Sequence, residues 1–198
     1  MHLITNFGDL AVLAPASLGL IVFLCWIGSR RDAAAYSGAA FLCLAATLTA
    51  KLALAACAGR YSLLGVESPS GHAAFSVTFY GCIAALFATG RTAARRWALY
   101  CAAGALLLAI GVSRVALGAH TAPEVVVGVL VGAASIAAFN ALRGRREALA
   151  LSSQTVVQMS PFAVFYALSV LLLAGRWSAE PIIDAIAAQV GVGLHVCR

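Results

Sequence analysis

Six apolar runs dominate the chain, at about residues 10–28, 39–58, 72–90, 97–113, 123–142 and 161–175. Most of them approach the roughly 20 residues with which a helix crosses about 30 Å of hydrocarbon. No water reaches a peptide group there, so only helices and closed barrels satisfy the backbone. None of the runs alternates apolar and polar residues as a barrel strand does, which leaves helices. The reading is all-α: an integral membrane bundle of six transmembrane helices, of which the fourth and sixth are the shortest. A soluble fold is excluded by the surface it needs. A chain that is 63% hydrophobic and 10% charged, with seven acidic side chains and a mean hydropathy of +0.97, cannot cover itself with interspersed charge. Residues 1–175 read as one bundle domain, and residues 176–198 as a less apolar tail. In that tail Ile182, Ile183, Ile186, Ala187 and Val190 recur at helical spacing, the pattern of an amphipathic helix lying on the membrane surface.

The formal charge of +6 invites a nucleic-acid reading, so the location of the basic residues matters more than their sum. Arg30 and Arg31 follow the first run, Arg91, Arg95 and Arg96 the third, and Arg143, Arg145 and Arg146 the fifth. The positive-inside rule puts all three of those loops in the cytoplasm, which a six-span path satisfies with both termini outside. No basic patch is interleaved with exposed aromatics, so nucleic acid is not an expected partner. The N-terminal segment lacks the charged region and small-residue cleavage site of a signal peptide, and the first span is expected to stay. Cys25, Cys43, Cys57, Cys82 and Cys101 lie in or at the ends of apolar runs without metal or CxxC spacing, and read as small helix-packing residues.

Two polar islands interrupt this pattern: Pro69-Ser70-Gly71-His72, and Ser113-Arg114 followed by His120 and Glu124. Counting spans from the arginine loops puts both at the end of the bundle away from the cytoplasm. Polar groups at membrane depth have partners and usually a task. Ser70 or Ser68 is placed to cap the third span, whose first N–H groups form an anion site, and Gly71 lets the backbone approach a ligand. Thr121, Ala122, Pro123 and Glu124 match a T-x-x-E capping box with proline near the first turn. Glu124 is also four residues from His120, so its carboxylate has a second reading as the partner of a ring nitrogen. A carboxylate that keeps one imidazole nitrogen protonated leaves the other with its lone pair, as a nucleophile or base requires. Cap and orienting partner both remain open at this point. Lys51, the only lysine, sits inside the second run, and Arg60 follows that run's outer end. Each has an interfacial reading, by snorkelling or anchoring. Together with Arg114 and two histidines they also describe a site for a dianion such as phosphate.

The order P-S-G-H, then about forty residues, then S-R-x5-H, resembles the type 2 phosphatidic acid phosphatase superfamily. The resemblance rests on Pro69 to His72 and on Ser113, Arg114 and His120, and it extends from residue 51 to 124. The family also carries a K-x6-R-P element and an aspartate four residues after the last histidine. Here the arginine position of that element holds Ala58, Arg60 is displaced by two and followed by Tyr61, and Glu124 stands in place of the aspartate. Seven residues keep two side chains on one helix face, whereas nine turn them to nearly opposite faces, so Arg60 substitutes only if the helix has ended before it.

The resemblance implies a metal-independent membrane phosphatase without a cofactor. His120 would be the nucleophile that forms a phosphohistidine, Glu124 its orienting carboxylate, and His72 the acid and later the base. Lys51, Arg114, Arg60, Ser70 and Gly71 would hold the phosphoryl oxygens. A site at the outer boundary of the bilayer favours a substrate with its tail in the membrane, a lipid phosphate or a polyprenyl diphosphate. Three arginine loops and short spans point to a bacterial inner membrane with the site facing the periplasm. The alternatives are a catalytically impaired lipid-phosphate-binding protein, suggested by the altered first element, and an anion transporter, which predicts inverted repeats that the sequence lacks.

Overall fold

The computed structural model describes residues 2–56, 66, 68–144, 153–173, 185, 186 and 189. Its elements are α1 (His2–Asn6), α2 (Leu10–Trp26), α3 (Arg30–Ala56), α4 (Gly71–Ala88), α5 (Ala93–Ala116), α6 (Ala122–Arg143) and α7 (Ser153–Leu173), with no strand among the described residues. The stretches Arg30–Leu54, Gly71–Ala88, Ala93–Ala116 and Ala122–Arg143 are each long and apolar enough to cross a membrane. Leu10–Trp26 and Met159–Leu173 are shorter apolar helices. The six expected runs thus correspond to six helices, four of which reach spanning length. The expected tail helix falls outside the described residues apart from 185, 186 and 189.

Several boundaries differ from the expected ones: α7 begins at Ser153, eight residues before the expected run, and elsewhere a charged residue joins a helix. Arg30 and Arg31 open α3, where Asp32 supplies first-turn negative charge, instead of forming a loop before residue 39. Arg95 and Arg96 lie in the first turn of α5, and Arg114 lies in its last turn. Arginine is a good helix former, and a cation in the last turn complements the helix dipole.

The bundle is arranged around α4. Of its spanning window 67% is buried within the protein, against 22% for each of the other three long spans. It packs against α2, α3, α5 and α6, while α7 packs on α2. Without a hydrophobic drive between helices in lipid, small residues that let backbones approach do much of the joining. Gly128 and Gly132 of α6, four apart, are the clearest case. A Cβ on Gly128 would lie 2.5 Å from the Ser70 carbonyl oxygen, and one on Gly132 would lie 2.6 Å from that of Ala74. Tyr36, Phe79 and Phe139 fill the interior with Leu13, Leu20, Leu24 and Leu86. Cys43 and Cys82 are buried and serve as the small residues expected, but Cys25 and Cys101 are exposed on the bundle's outer surface and do not.

One end of the bundle is closed by charge. Arg143, 2% exposed, pairs through Nε with Asp32 Oδ1 at 2.5 Å, donates from Nη1 to Thr89 Oγ1, and lies over the Phe139 ring. Ser29 Oγ donates to the other Asp32 oxygen at 2.8 Å. Arg143 is therefore a buried tie between α3, α4 and α6, and not only a loop charge.

The short α1 was not anticipated. Beyond it, Asp9 caps α2 by accepting the Ala11 N–H at 3.0 Å. Between the two, a Cβ on Gly8 would meet Ile110 Cγ2 at 2.8 Å and Ser76 Oγ at 2.9 Å. Ile110 and Ser76 are each four residues inward from Arg114 and His72, so the α1–α2 link sits about one helical turn inside the bundle, and α2 is short because it starts there.

Candidate active site

The end opposite Arg143 gathers both polar islands. Ser70 is the N-cap of α4, completely buried, and its Oγ accepts the Ala73 N–H at 3.4 Å. Its own backbone N–H donates to the Glu124 carbonyl at 3.1 Å, so that donor is committed to the fold. Helix geometry leaves the N–H groups of Gly71 and His72 without an intrahelical acceptor. His72 is the second residue of α4 and half-buried.

The second island is shaped by the turn between α5 and α6. Gly118, at φ +66, takes the left-handed position that ends α5. The Gly118 N–H then bonds the Val115 carbonyl at 3.0 Å, and the N–H groups of Ala119 and His120 converge on the Arg114 carbonyl at 3.0 and 3.3 Å. This hairpin folds His120 back beside the last turn of α5. No expectation from the sequence included Gly118, although a glycine two residues past a helix end is its signal.

Glu124 is the hub. It is 5% exposed and is the third residue of α6. Its Oε2 accepts the Thr121 N–H at 2.9 Å, the glutamate half of the capping box. The same oxygen lies 3.0 Å from His120 Nδ1, with the imidazole 6% exposed. Its Oε1 accepts the Ser68 N–H at 2.9 Å, 56 residues away in sequence. The cap and the histidine partner are therefore one and the same group. His120 makes the contact from outside the helix, just before the Thr121 N-cap. A carboxylate on Nδ1 selects the tautomer with the proton there and the lone pair on Nε2.

The cations approach from two other helices. Arg114 is 8% exposed, and its Nη1 donates to Thr5 Oγ1 at 3.4 Å. It lies in α5 itself and not in a following loop as expected. Lys51, 7% exposed, is one turn beyond Thr47 on α3. Thr47 Cγ2 lies 3.9 Å from where a Cβ on Gly71 would stand, so α3 carries Lys51 past the start of α4. Arg60 lies outside the described residues. Six of the seven described candidates thus come from the adjoining ends of α4, α5 and α6, and Lys51 from the neighbouring α3.

A model of the PAP2 superfamily matches residues 14–148, more than half of the chain. The chain belongs to the PAP2 superfamily. Neither a curated protein nor a solved structure matches it. The PAP2 match spans both islands and the helices that carry them, and it supports a phosphatase-type function in general. It leaves out α1, the start of α2, and α7.

Proposed function

We propose that this PAP2 protein is a membrane phosphatase that hydrolyses a lipid phosphate or a polyprenyl diphosphate through a phosphohistidine on His120. The observation that carries the reading is the 3.0 Å contact between Glu124 and His120 Nδ1, in a carboxylate that also ties the two islands together. With Nδ1 protonated, the Nε2 lone pair attacks phosphorus as the bond to the leaving oxygen breaks, and that oxygen takes a proton from His72. Nε2 then holds the phosphoryl group, the ring carries a positive charge, and Glu124 balances it. In the second half a water gives a proton to His72 and attacks phosphorus. The P–N bond breaks, phosphate leaves, and His120 returns to its starting tautomer.

Lys51 and Arg114 serve the phosphoryl oxygens, together with the N–H groups of Gly71 and His72 at the start of α4. Fixed cations and dipoles around an in-line transfer carry most of its catalysis. Ser70 contributes by capping that helix, and Arg60 joins the site only if the chain after α3 folds back. Arg30, Arg31, Arg95, Arg96 and Arg143 lie toward the opposite end of the bundle, so the positive-inside rule turns the site away from the cytoplasm, toward the periplasm of a bacterial inner membrane. A substrate then keeps its tail in the bilayer and presents its phosphate at the surface.

The test is phosphate release in detergent from a panel of lipid phosphates and polyprenyl diphosphates, with chelator present, by the wild type and His120→Ala. Chelator-resistant release that vanishes in the variant, with acid-labile label trapped on the wild type, is the expected result. Release that survives in His120→Ala refutes the nucleophile. Phosphate binding without release from any member of the panel selects the lipid-phosphate-binding alternative.

A further inference from the structure

The N-terminal segment lies outside the family match and reaches the phosphate site. The short α1 packs on α5, where Thr5 Oγ1 accepts from Arg114 Nη1 at 3.4 Å. Gly8 is wedged between α4 and α5, its missing Cβ filled by Ser76 and Ile110. A chain of hydroxyls holds this segment from the other side. Tyr80 O–H donates to the Phe7 carbonyl at 2.8 Å, which leaves Tyr166 as the donor in the 2.6 Å Tyr166–Tyr80 bond. Tyr166 belongs to α7, which also lies outside the family match. Two elements beyond that match are thus joined through Tyr80 to the helix end that carries Arg114.

We propose that residues 5–9 are a strap on the phosphate site, with Thr5 the positioning residue of Arg114 and the Tyr166–Tyr80 pair its anchor. A guanidinium at membrane depth has a long, flexible stem, and a fixed acceptor on one nitrogen restricts the rotamers from which it can meet an anion. Glycine at position 8 is what lets the strap lie this deep. This inference rests on the phosphatase reading for its kinetic readout, but not for its binding readout.

Thr5→Ala, Thr5→Ser and Tyr166→Phe in the full chain test it through kcat, KM, competitive inhibition by inorganic phosphate, and the thermal midpoint in detergent. Thr5→Ala is expected to weaken phosphate inhibition and raise KM by about three- to tenfold, the range for one ordinary hydrogen bond. Its thermal midpoint stays close to the wild type's, and Thr5→Ser restores both constants. Tyr166→Phe shifts them in the same direction by less. In an Arg114→Ala background Thr5→Ala adds nothing, since the two groups act as one unit.

Wild-type phosphate inhibition in Thr5→Ala, or a loss that adds in full to that of Arg114→Ala, overturns the positioning role. A Tyr166→Phe protein with a lowered midpoint but unchanged inhibition overturns the anchor. If the wild type releases phosphate from no substrate, the phosphatase reading fails, and Thr5 is judged by the thermal protection that inorganic phosphate gives. Protection reduced in Thr5→Ala and restored in Thr5→Ser supports the strap, and protection that is equal or absent overturns it.

Discussion

Replacing Glu124 by glutamine removes one charge and one acceptor while leaving the shape of the side chain almost unchanged. The carboxylate serves three nitrogens: Ser68 on Oε1, and Thr121 and His120 on Oε2. An amide cannot serve all three. With its carbonyl in the Oε2 position it keeps Thr121 and His120, but turns its NH2 onto the Ser68 N–H, donor against donor. Flipped, it keeps Ser68, opposes the Thr121 N–H, and obliges His120 to accept at Nδ1. That last arrangement moves the imidazole proton to Nε2 and removes the nucleophilic lone pair. With the His120 and Glu124 side chains 6% and 7% exposed, the contact between them is shielded from water.

One orphaned donor costs folding about 1–3 kcal/mol. The catalytic cost is larger, because the positive ring of the phosphohistidine also loses its counter-charge. In the serine-protease triad a carboxylate-to-amide change of this kind costs about 10⁴ in kcat through the wrong tautomer. We expect Glu124→Gln to fold in detergent with a modestly lowered thermal midpoint and to lose between about 10² and 10⁴ in kcat, which is about 3–5.5 kcal/mol of barrier. The assay is steady-state phosphate release, normalised to protein that elutes as the wild type does on size exclusion. Glu124→Asp keeps the charge and shortens the reach by one methylene, so it holds either the His120 side or the Ser68 side and falls between the two. A folded Glu124→Gln protein within about threefold of wild-type kcat refutes both the tautomer argument and the counter-charge role of Glu124.

Four further substitutions separate site from scaffold. Arg143→Ala leaves the half-buried Asp32 without its cation and should destabilise the bundle by about 1–3 kcal/mol, read as a lower thermal midpoint, with kcat per folded molecule unchanged because the pair closes the opposite end; a large loss of kcat without a stability change contradicts that assignment. Gly128→Val drives a side chain into the Ser70 carbonyl and should lower both thermal midpoint and activity, whereas Gly104→Ala, where a Cβ meets nothing within 4 Å, should change neither. Gly118→Ala places a Cβ in the left-handed region at a cost of about 1–2 kcal/mol, and should reduce kcat severalfold by shifting the turn that delivers His120.

What was legible in the sequence is what short spacing determines. The apolar runs identified every long helix, because length and hydropathy leave a lipid-embedded backbone few choices. The Thr121-to-Glu124 box and the His120–Glu124 pair are separated by three and four residues, so local geometry alone brings them together. The union of the two islands followed from counting spans. Helix ends were less legible, since the arginines read as loop charges are themselves good helix formers.

Gly118 and the short α1 aside, the missed features depend on contacts between distant parts of the chain. The Ser68 N–H on Glu124 spans 56 residues, Arg143 on Asp32 spans 111, and Arg114 on Thr5 spans 109. None leaves a periodic trace, and the first and last lie beside glycines, Gly128 and Gly8, that admit a neighbouring helix closely. The α4–α6 seam shows why this matters for the site. Gly128 admits the Ser70 carbonyl, Ser70 donates its N–H to the Glu124 carbonyl, and the Glu124 side chain holds His120 and Ser68. Precision at the candidate nucleophile is thus set by a glycine four residues further along α6, which does no chemistry of its own. Substitutions along that seam should therefore alter turnover in proportion to how far they part α4 from α6, even where His120, His72 and Arg114 are untouched.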